Sequence, residues 1–421
     1  MHTPRGYAFI YLKQGEILMN QNNSKYTPQF FLASLGNGGM TVAIYMYLMF
    51  LVKHPGKPMA NFEHIYSVLT NGNLFISTLT GISLIGILYF AFRHFKTLFW
   101  NLKSFKEFKN QANYKEFKKS RAGISLMTIP LTLAMTINVS FILGGAFVPN
   151  LWTFVEYLFP FALLAFGVIG YLGFKMFIDY ASEYLINGGI KSDESNNFSP
   201  LISSFAFAMV AVGFSASAAM SHVTATYTIG FIGAIFFMII SVAILFIEFS
   251  NGLRGILANG LNQETSHTFW IIIPILTILG ITVVRLTSSI AHNVLNIDMP
   301  TGFLYVFLSI FISIQGVIGI IGYNIMDKNG YFKKYVSGPE YNPASYGLIC
   351  PGVAFFVLGM FLIGWGFIEN DIIAKYSYLH YSLIAALAII QLKTIGTIFK
   401  LDKKYFSKKT DVLQTADSSG Y

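Results

Sequence analysis

Charged residues are scarce in this chain of 421 residues: only 11% are Asp, Glu, Lys or Arg, while 54% are hydrophobic and the mean hydropathy is +0.58. Soluble domains have about a quarter charged residues, so this composition excludes an ordinary soluble protein. The single cysteine, Cys350, excludes an intrachain disulfide framework. The sequence also lacks a Walker or dinucleotide-binding glycine loop, an HExxH motif and clustered carboxylates. We therefore expect no cofactor and no metal site.

Ten apolar stretches dominate what the sequence does contain. A helix needs about 20 apolar residues to cross the roughly 30 Å hydrocarbon core of a bilayer. The stretches that reach this length lie near residues 29-52, 73-95, 122-147, 152-178, 200-221, 225-249, 268-291, 302-326, 345-368 and 376-399. We call them the first to tenth spans, and they predict an all-α polytopic membrane protein with ten transmembrane helices.

The distribution of Lys and Arg predicts the orientation of the chain in the membrane. Basic residues concentrate in segment 93-121, in segment 328-334 and in the C-terminal tail. With ten spans these segments share one side, and the positive-inside rule makes that side cytoplasmic. We predict an inner (plasma) membrane protein with a cytoplasmic N-terminal segment (1-27), a ten-helix transmembrane domain (28-400) and a cytoplasmic tail (401-421) that is disordered at its end.

Segment 93-121 also mixes Phe with Lys at roughly helical spacing. This pattern favours an interfacial helix that contacts membrane lipid headgroups. Because basic residues flank the spans in this way, topology accounts for the net charge of +9. We therefore do not expect nucleic acid as a partner.

Gly, Pro and small polar residues gather in the odd-numbered spans, whereas the even-numbered spans look like lipid-facing walls. Such helices are tolerated in a membrane where neighbours or a water-filled path satisfy the freed backbone groups. We therefore expect the odd spans to line a central pore. The predicted pore-lining residues are Ser34, Gly36, Asn37, Gly38, Thr128, Pro130, Thr132, Thr136, Asn138, Gly213, Pro274, Cys350, Pro351 and Gly352.

A weak internal repeat accompanies this contrast. Pro28, Pro200 and Pro343 each lie at the predicted start of an odd span, so three of the five odd spans share an entry pattern. Independent Pro residues at the first turn of a helix would give the same pattern, because Pro is favoured there.

Thr128, Thr132 and Thr136 are spaced i, i+4, i+8, which places three hydroxyls on one face of the third span. Hydroxyl donors can replace part of the hydration of an anion without a fixed charge that would hold it too tightly. Alternatively, these hydroxyls bond to carbonyls one turn earlier and support a kink at Pro130.

Arg285 lies near the end of the seventh span, where a cation is costly unless it pairs or faces a cavity. It is our best single residue for attracting an anion. The alternative is an Arg that reaches the lipid headgroups. Acidic residues within the spans are few and lie near the ends, as with Glu156 and Glu248, so a cation or proton relay is poorly supported.

The segments SLGNGGMTVAIYMYLMF (34-50) and YGLICPGVAFFVLGMF (346-361) resemble the TsoY group. Over roughly residues 28-400, the topology and the positions of Gly and Pro resemble the tellurite-resistance/dicarboxylate transporter family, which includes the plant slow anion channels. This resemblance implies five hairpins in a quasi-fivefold arrangement, with the odd helices around one pore per protomer, and a homotrimer. It also implies a phenylalanine gate in the ninth helix, at Phe355 or Phe356.

These observations predict an anion channel or facilitated anion transporter rather than an enzyme, with a small inorganic or organic anion as its partner. Small sulfur oxyanions such as sulfite and thiosulfate fit the cysteine predicted in the pore; halide, nitrate and dicarboxylates remain open. The alternative is a membrane redox protein in which Cys350 acts as a thiol nucleophile on a sulfur-containing solute. A third possibility is a scaffolding subunit with a sealed pore.

Overall fold

The computed structural model describes residues 26–186 and 196–406. Within these residues all regular structure is helical. The N-terminal segment predicted for 1-27 and the tail predicted for 401-421 fall largely outside the described residues.

Ten helices in the described part of the chain are long and apolar enough to cross a membrane, which confirms the prediction of a multi-pass membrane protein. They are Pro28–Leu51, Leu74–Lys109, Arg121–Phe147, Leu151–Glu183, Ser199–Met220, Thr224–Asn259, Ser266–Leu295, Thr301–Lys328, Pro343–Ile368 and Tyr378–Tyr405. Two shorter α-helices, Phe62–Asn71 and Tyr114–Lys119, lie in the connections.

The second span is a helix of 36 residues, Leu74–Lys109, and ends 14 residues later than hydropathy alone predicts (109 against 95). At 1.5 Å per residue it measures about 54 Å, longer than the hydrocarbon core. The reason is that its Lys-rich continuation contains no Gly or Pro to stop the helix. The predicted interfacial helix in segment 93-121 is therefore largely the end of the second span, followed by the short helix Tyr114–Lys119.

Odd and even spans differ sharply in burial. Over an apolar stretch of 18 residues in each span, the buried share is 83%, 61%, 94%, 67% and 78% for the odd spans, but 17–28% for the even spans. Each odd span contacts the next odd span, and the ninth contacts the first; each also contacts the even span that follows it. The odd spans therefore form the interior, and the even spans carry the apolar outer surface.

Every odd span begins with a short 3-10 segment before it continues as an α-helix. These segments are Pro28–Phe30, Arg121–Met127, Ser199–Leu201, Ser266–Ile271 and Pro343–Leu348. Pro28, Pro200 and Pro343 lie in the first turn, as predicted. Proline suits this position because its missing N–H would have no partner there anyway.

His94 of the second span is fully buried and bridges the first and third spans. Its Nδ1 lies 2.8 Å from the carbonyl oxygen of Ser34, and its Nε2 lies 2.9 Å from Oγ1 of Thr136. Gly38 makes room for this ring, because a Cβ at that position would lie 2.7 Å from Nδ1 of His94. A polar side chain thus fixes how three helices pack.

Replacing Gly38 with Ala should lower the free energy of unfolding by about 1–3 kcal/mol, because the added methyl overpacks the site of His94. Gly81→Ala is the matched control in the second span: a Cβ at Gly81 meets no atom within 4 Å. That change should be neutral or stabilise by up to about 1 kcal/mol. Thermal unfolding in detergent, followed by circular dichroism, measures both; equal loss in the two variants would contradict the packing described.

Candidate functional site

Two cavities lie among the odd spans in the described part of the chain. The large cavity has a volume of about 620 Å³ and is lined by residues from all five odd spans, the fourth span and the connection after the first span. Five of the predicted lining residues line it: Gly36, Asn138, Gly213, Pro274 and Cys350. Trp365, near the end of the ninth span, also lines this cavity.

The small cavity has a volume of about 260 Å³ and lies where the odd spans begin. The second residue of every odd span lines it: these residues are Gln29, Ala122, Pro200, His267 and Ala344. The five odd spans therefore run in the same direction, from the small cavity toward the large one.

Phe205, Pro274 and Cys350 line both cavities, so the two cavities meet between the fifth, seventh and ninth spans. The side chain of Phe205 is 3% exposed and that of Cys350 is 8% exposed. An aromatic ring, a proline and a thiol thus form the junction of the two cavities.

The cavity walls are basic or neutral. The large cavity is lined by Arg285, Lys57, His54, His222 and His292, and the small cavity by Arg121 and His267. No described Asp or Glu lines either cavity. Because low-dielectric walls strengthen electrostatic interactions, the absence of carboxylates from these walls favours negative charge inside.

Glu156 is a carboxylate close to the large cavity, and backbone and hydroxyl groups hold it. Its Oε2 accepts a hydrogen bond from the Ser221 hydroxyl at 2.6 Å, and its Oε1 accepts one from the His222 N–H at 2.8 Å. The carboxylate therefore holds the turn between the fifth and sixth spans rather than lining the cavity.

Arg285 faces the large cavity, as the sequence predicts. Its Nη1 donates a hydrogen bond to the carbonyl oxygen of Val212 at 2.8 Å, and no described carboxylate forms an ion pair with it. This guanidinium is held by the fifth span while part of its surface remains exposed to the cavity. It can therefore contact an anion without first breaking a salt bridge.

His54 lies in the connection just after the first span, and it lines the large cavity. Burial lowers the pKa of His54 below its ordinary value; a hydrogen bond with the Val52 carbonyl opposes this, and the positive charge of Lys375 lowers the pKa further. Burial also lowers the pKa of Lys375; the negative charge of Glu369 opposes this shift, and the charge of Lys53 adds to it. Burial is therefore the main reason that protonation is disfavoured at this mouth, and neighbouring positive charges add to it.

Ser34, Asn37 and Gly38 were expected to line the pore, but they face the second span and line neither cavity. Oδ1 of Asn37 accepts a hydrogen bond from Nε of Arg93 at 2.8 Å, and Ser34 and Gly38 contact His94. The reason is that buried polar groups in a membrane must find partners within the protein.

The threonine stripe of the third span joins helices instead of lining a path. The Thr132 hydroxyl donates to the Phe31 carbonyl at 3.1 Å, and the Thr136 hydroxyl donates to the Thr132 carbonyl at 2.9 Å. Thr128 does line the small cavity, but its hydroxyl lies 2.8 Å from the Pro28 carbonyl. The stripe thus holds the third span against the first, and bonding to carbonyls accounts for all three hydroxyls.

Pro130, Pro351 and Gly352 were also expected to line the pore, and none lines either cavity. Pro130 packs against the fourth span near Gly173. A Cβ at Gly352 would collide with Oγ1 of Thr394, so this glycine allows close packing of the ninth and tenth spans. Helix contacts, not a path for solutes, account for these small and kinked positions.

Phe355 and Phe356, which the resemblance offered as a gate, line neither cavity. The Phe356 ring is fully buried and packs against Tyr47, with ring centroids 5.3 Å apart. Phe355 is partly buried against the hydrophobic core. The aromatic residue at the junction is instead Phe205, which sequence reasoning did not single out.

An ion pair between the second and tenth spans was also missed. Nη2 of Arg93 pairs with Oδ2 of Asp402, and Oδ1 of Asp402 accepts a hydrogen bond from the Tyr346 hydroxyl at 2.9 Å. Together with Asn37, this network joins the first, second, ninth and tenth spans. No local signal marked the pair, because Asp402 lies in the segment predicted as the cytoplasmic tail, among Lys400, Lys403 and Lys404.

No family model, curated protein or solved structure matches the chain.

The thiol of Cys350 should react with a small anionic methanethiosulfonate reagent, because it lines both cavities. The matched control is Ile349→Cys in a Cys350→Ser background: Ile349 is fully buried and lines neither cavity. Whole-protein mass spectrometry should show one adduct on the wild type and little on the control. Equal labelling at both positions, or none at Cys350, would contradict the junction described.

Proposed function

We propose that this protein is an anion channel or facilitated anion transporter of the inner (plasma) membrane. The observation that carries the proposal is the lining of the two cavities, which combines five basic or imidazole side chains in the large cavity and two in the small one with no described carboxylate. Such walls attract anions and repel cations. They also offer no chain of Asp or Glu for a proton relay.

We further propose that the spans form five hairpins in a quasi-fivefold arrangement, with the odd helices around a central pore. Two observations support it: the second residue of every odd span lines the small cavity, and successive odd spans contact one another. With both termini cytoplasmic, the basic segment 93-121 places the start of the third span, and hence the small cavity, on the cytoplasmic side. The homotrimer stays a prediction from the resemblance.

In this proposal an anion enters the large cavity, is attracted by Arg285 and the basic mouth near His54, and crosses the junction into the small cavity. The bond from Arg285 to Val212 keeps the guanidinium in place, so little conformational entropy is lost when an anion binds. Movement follows the electrochemical gradient. Small sulfur oxyanions, halides and nitrate are all small compared with a cavity of about 620 Å³, so direct comparison decides among them.

Replacing Arg285 with Gln should lower anion flux into proteoliposomes by about tenfold, because a charge-assisted contact of about 1.5–3 kcal/mol is lost. Arg254→Gln is the matched control: Arg254 is exposed on the sixth span and lines neither cavity. Chloride, nitrate, sulfite and thiosulfate are compared. Flux of a neutral or cationic solute with no anion flux would refute the proposal.

The same assay separates transport from the redox alternative. Cys350→Ser should keep most of the flux of a channel, whereas a thiol nucleophile would lose its activity, because a hydroxyl is a much weaker nucleophile near neutral pH.

We place the constriction at Phe205, and Phe205→Ala should raise anion flux because it widens the junction of the two cavities. Phe356→Ala is the control that tests the gate implied by the resemblance. Because Phe356 is fully buried against Tyr47, its loss should cost about 3–5 kcal/mol of stability without raising the flux per folded protein. The opposite result, flux raised only by Phe356→Ala, would return the gate to the ninth span.

A further inference from the structure

The small cavity combines three features that the transport proposal does not use. It receives the starts of five long helices, it is lined by the guanidinium of Arg121 and the imidazole of His267, and no described carboxylate lines it. Each helix start carries a partial positive charge of about half an elementary charge. Because all five starts point to one cavity, their fields add inside it.

His267 supplies an independent indication of a ligand. Its side chain is 8% exposed and lines the small cavity, and its Nδ1 has no hydrogen-bond partner. The carbonyl of Glu264 lies near the ring and interacts with it, but Nδ1 makes no hydrogen bond of good geometry. Buried polar atoms in proteins are nearly always well paired, so the imidazole of His267 has hydrogen-bonding capacity left for a ligand.

Arg121 adds a full positive charge at the same wall. Glu248 of the sixth span interacts electrostatically with this guanidinium but does not line the cavity. The hydroxyls of Ser125 and Thr128 donate to backbone carbonyls, so the basic side chains, rather than these hydroxyls, are the groups that can contact an anion. The guanidinium and the imidazole together suit the fork of acceptor oxygens on an oxyanion.

We propose that the small cavity is a binding site for a small oxyanion of the nitrate or sulfite type, separate from the contact at Arg285. The site lies on the other side of the junction formed by Phe205, Pro274 and Cys350. It rests on the proposed function and extends it, because it adds a second anion-binding site along the path. Its existence can nevertheless be tested by binding alone.

Isothermal titration calorimetry with potassium nitrate, against a potassium gluconate background of equal ionic strength, tests the site on the full-length protein in detergent. An Arg285→Gln background removes the contact in the large cavity. In that background nitrate should still bind, and Arg121→Gln or His267→Gln should then weaken its affinity by about tenfold, the loss expected for one charge-assisted hydrogen bond.

Two further variants protect this test from folding artefacts. Arg254→Gln removes an exposed positive charge that lines neither cavity and should leave nitrate affinity unchanged. Arg121→Lys keeps the charge and should retain most of the binding. Unchanged affinity in Arg121→Gln and His267→Gln would overturn the site, as would loss of all binding in Arg285→Gln alone.

The outcome also separates this site from the proposed function. Binding that depends on Arg121 and His267 in a protein that conducts no anion would establish the site and reject the channel. Anion flux, together with a nitrate affinity that does not change when Arg121 or His267 is replaced, would support the channel and reject the site.

Discussion

A basic cavity can persist inside a bilayer only if lipid hydrocarbon is kept away from it, and this requirement governs the packing of the ten spans. Charges in hydrocarbon are costly, so the five spans that carry glycine, proline and polar groups must be enclosed by five that carry almost only apolar surface. The share of buried residues in an apolar stretch of 18 residues follows this division: it is 61–94% in the odd spans and 17–28% in the even spans. Arg285 and Arg121 therefore reach solvent through cavities and not through the lipid face.

The same requirement explains why so many polar side chains of the odd spans turn away from the cavities. A hydroxyl or amide in a membrane protein needs a partner, and a neighbouring helix is a permanent one. Ser34, Asn37, Thr132 and Thr136 each bond to another part of the protein. The residue types that could contact a solute are therefore the same ones that stabilise helix packing. The hydroxyls of Ser34, Thr132 and Thr136 serve packing.

The number of spans, their approximate bounds and the division into odd and even were predictable, because composition and periodicity carry them directly. The sequence also singled out Arg285, since a lone cation in an apolar helix needs a wet or paired environment, but it left open whether this residue faces a cavity or the lipid headgroups. The direction of each polar side chain was not predictable. Helices that are buried on nearly every side have no distinct apolar face, so a sequence does not reveal which side of Asn37 or Thr136 points to a neighbour.

Phe205 and the pair Arg93–Asp402 were beyond sequence reasoning for a different reason. Phe205 is one of 41 phenylalanines, and only its place between two cavities distinguishes it. The ion pair joins residues 309 positions apart in the chain, a separation that no local pattern records.

The common direction of the five odd helices has one more consequence. In an antiparallel bundle neighbouring helix dipoles largely cancel, but here the helices that run the other way are the even spans, which lie at the periphery. Near the axis the dipoles of the odd spans dominate and point the same way. The interior therefore has an electrical polarity: the dipoles of the odd spans make the potential more positive at the small cavity, where these helices begin, than at their opposite ends.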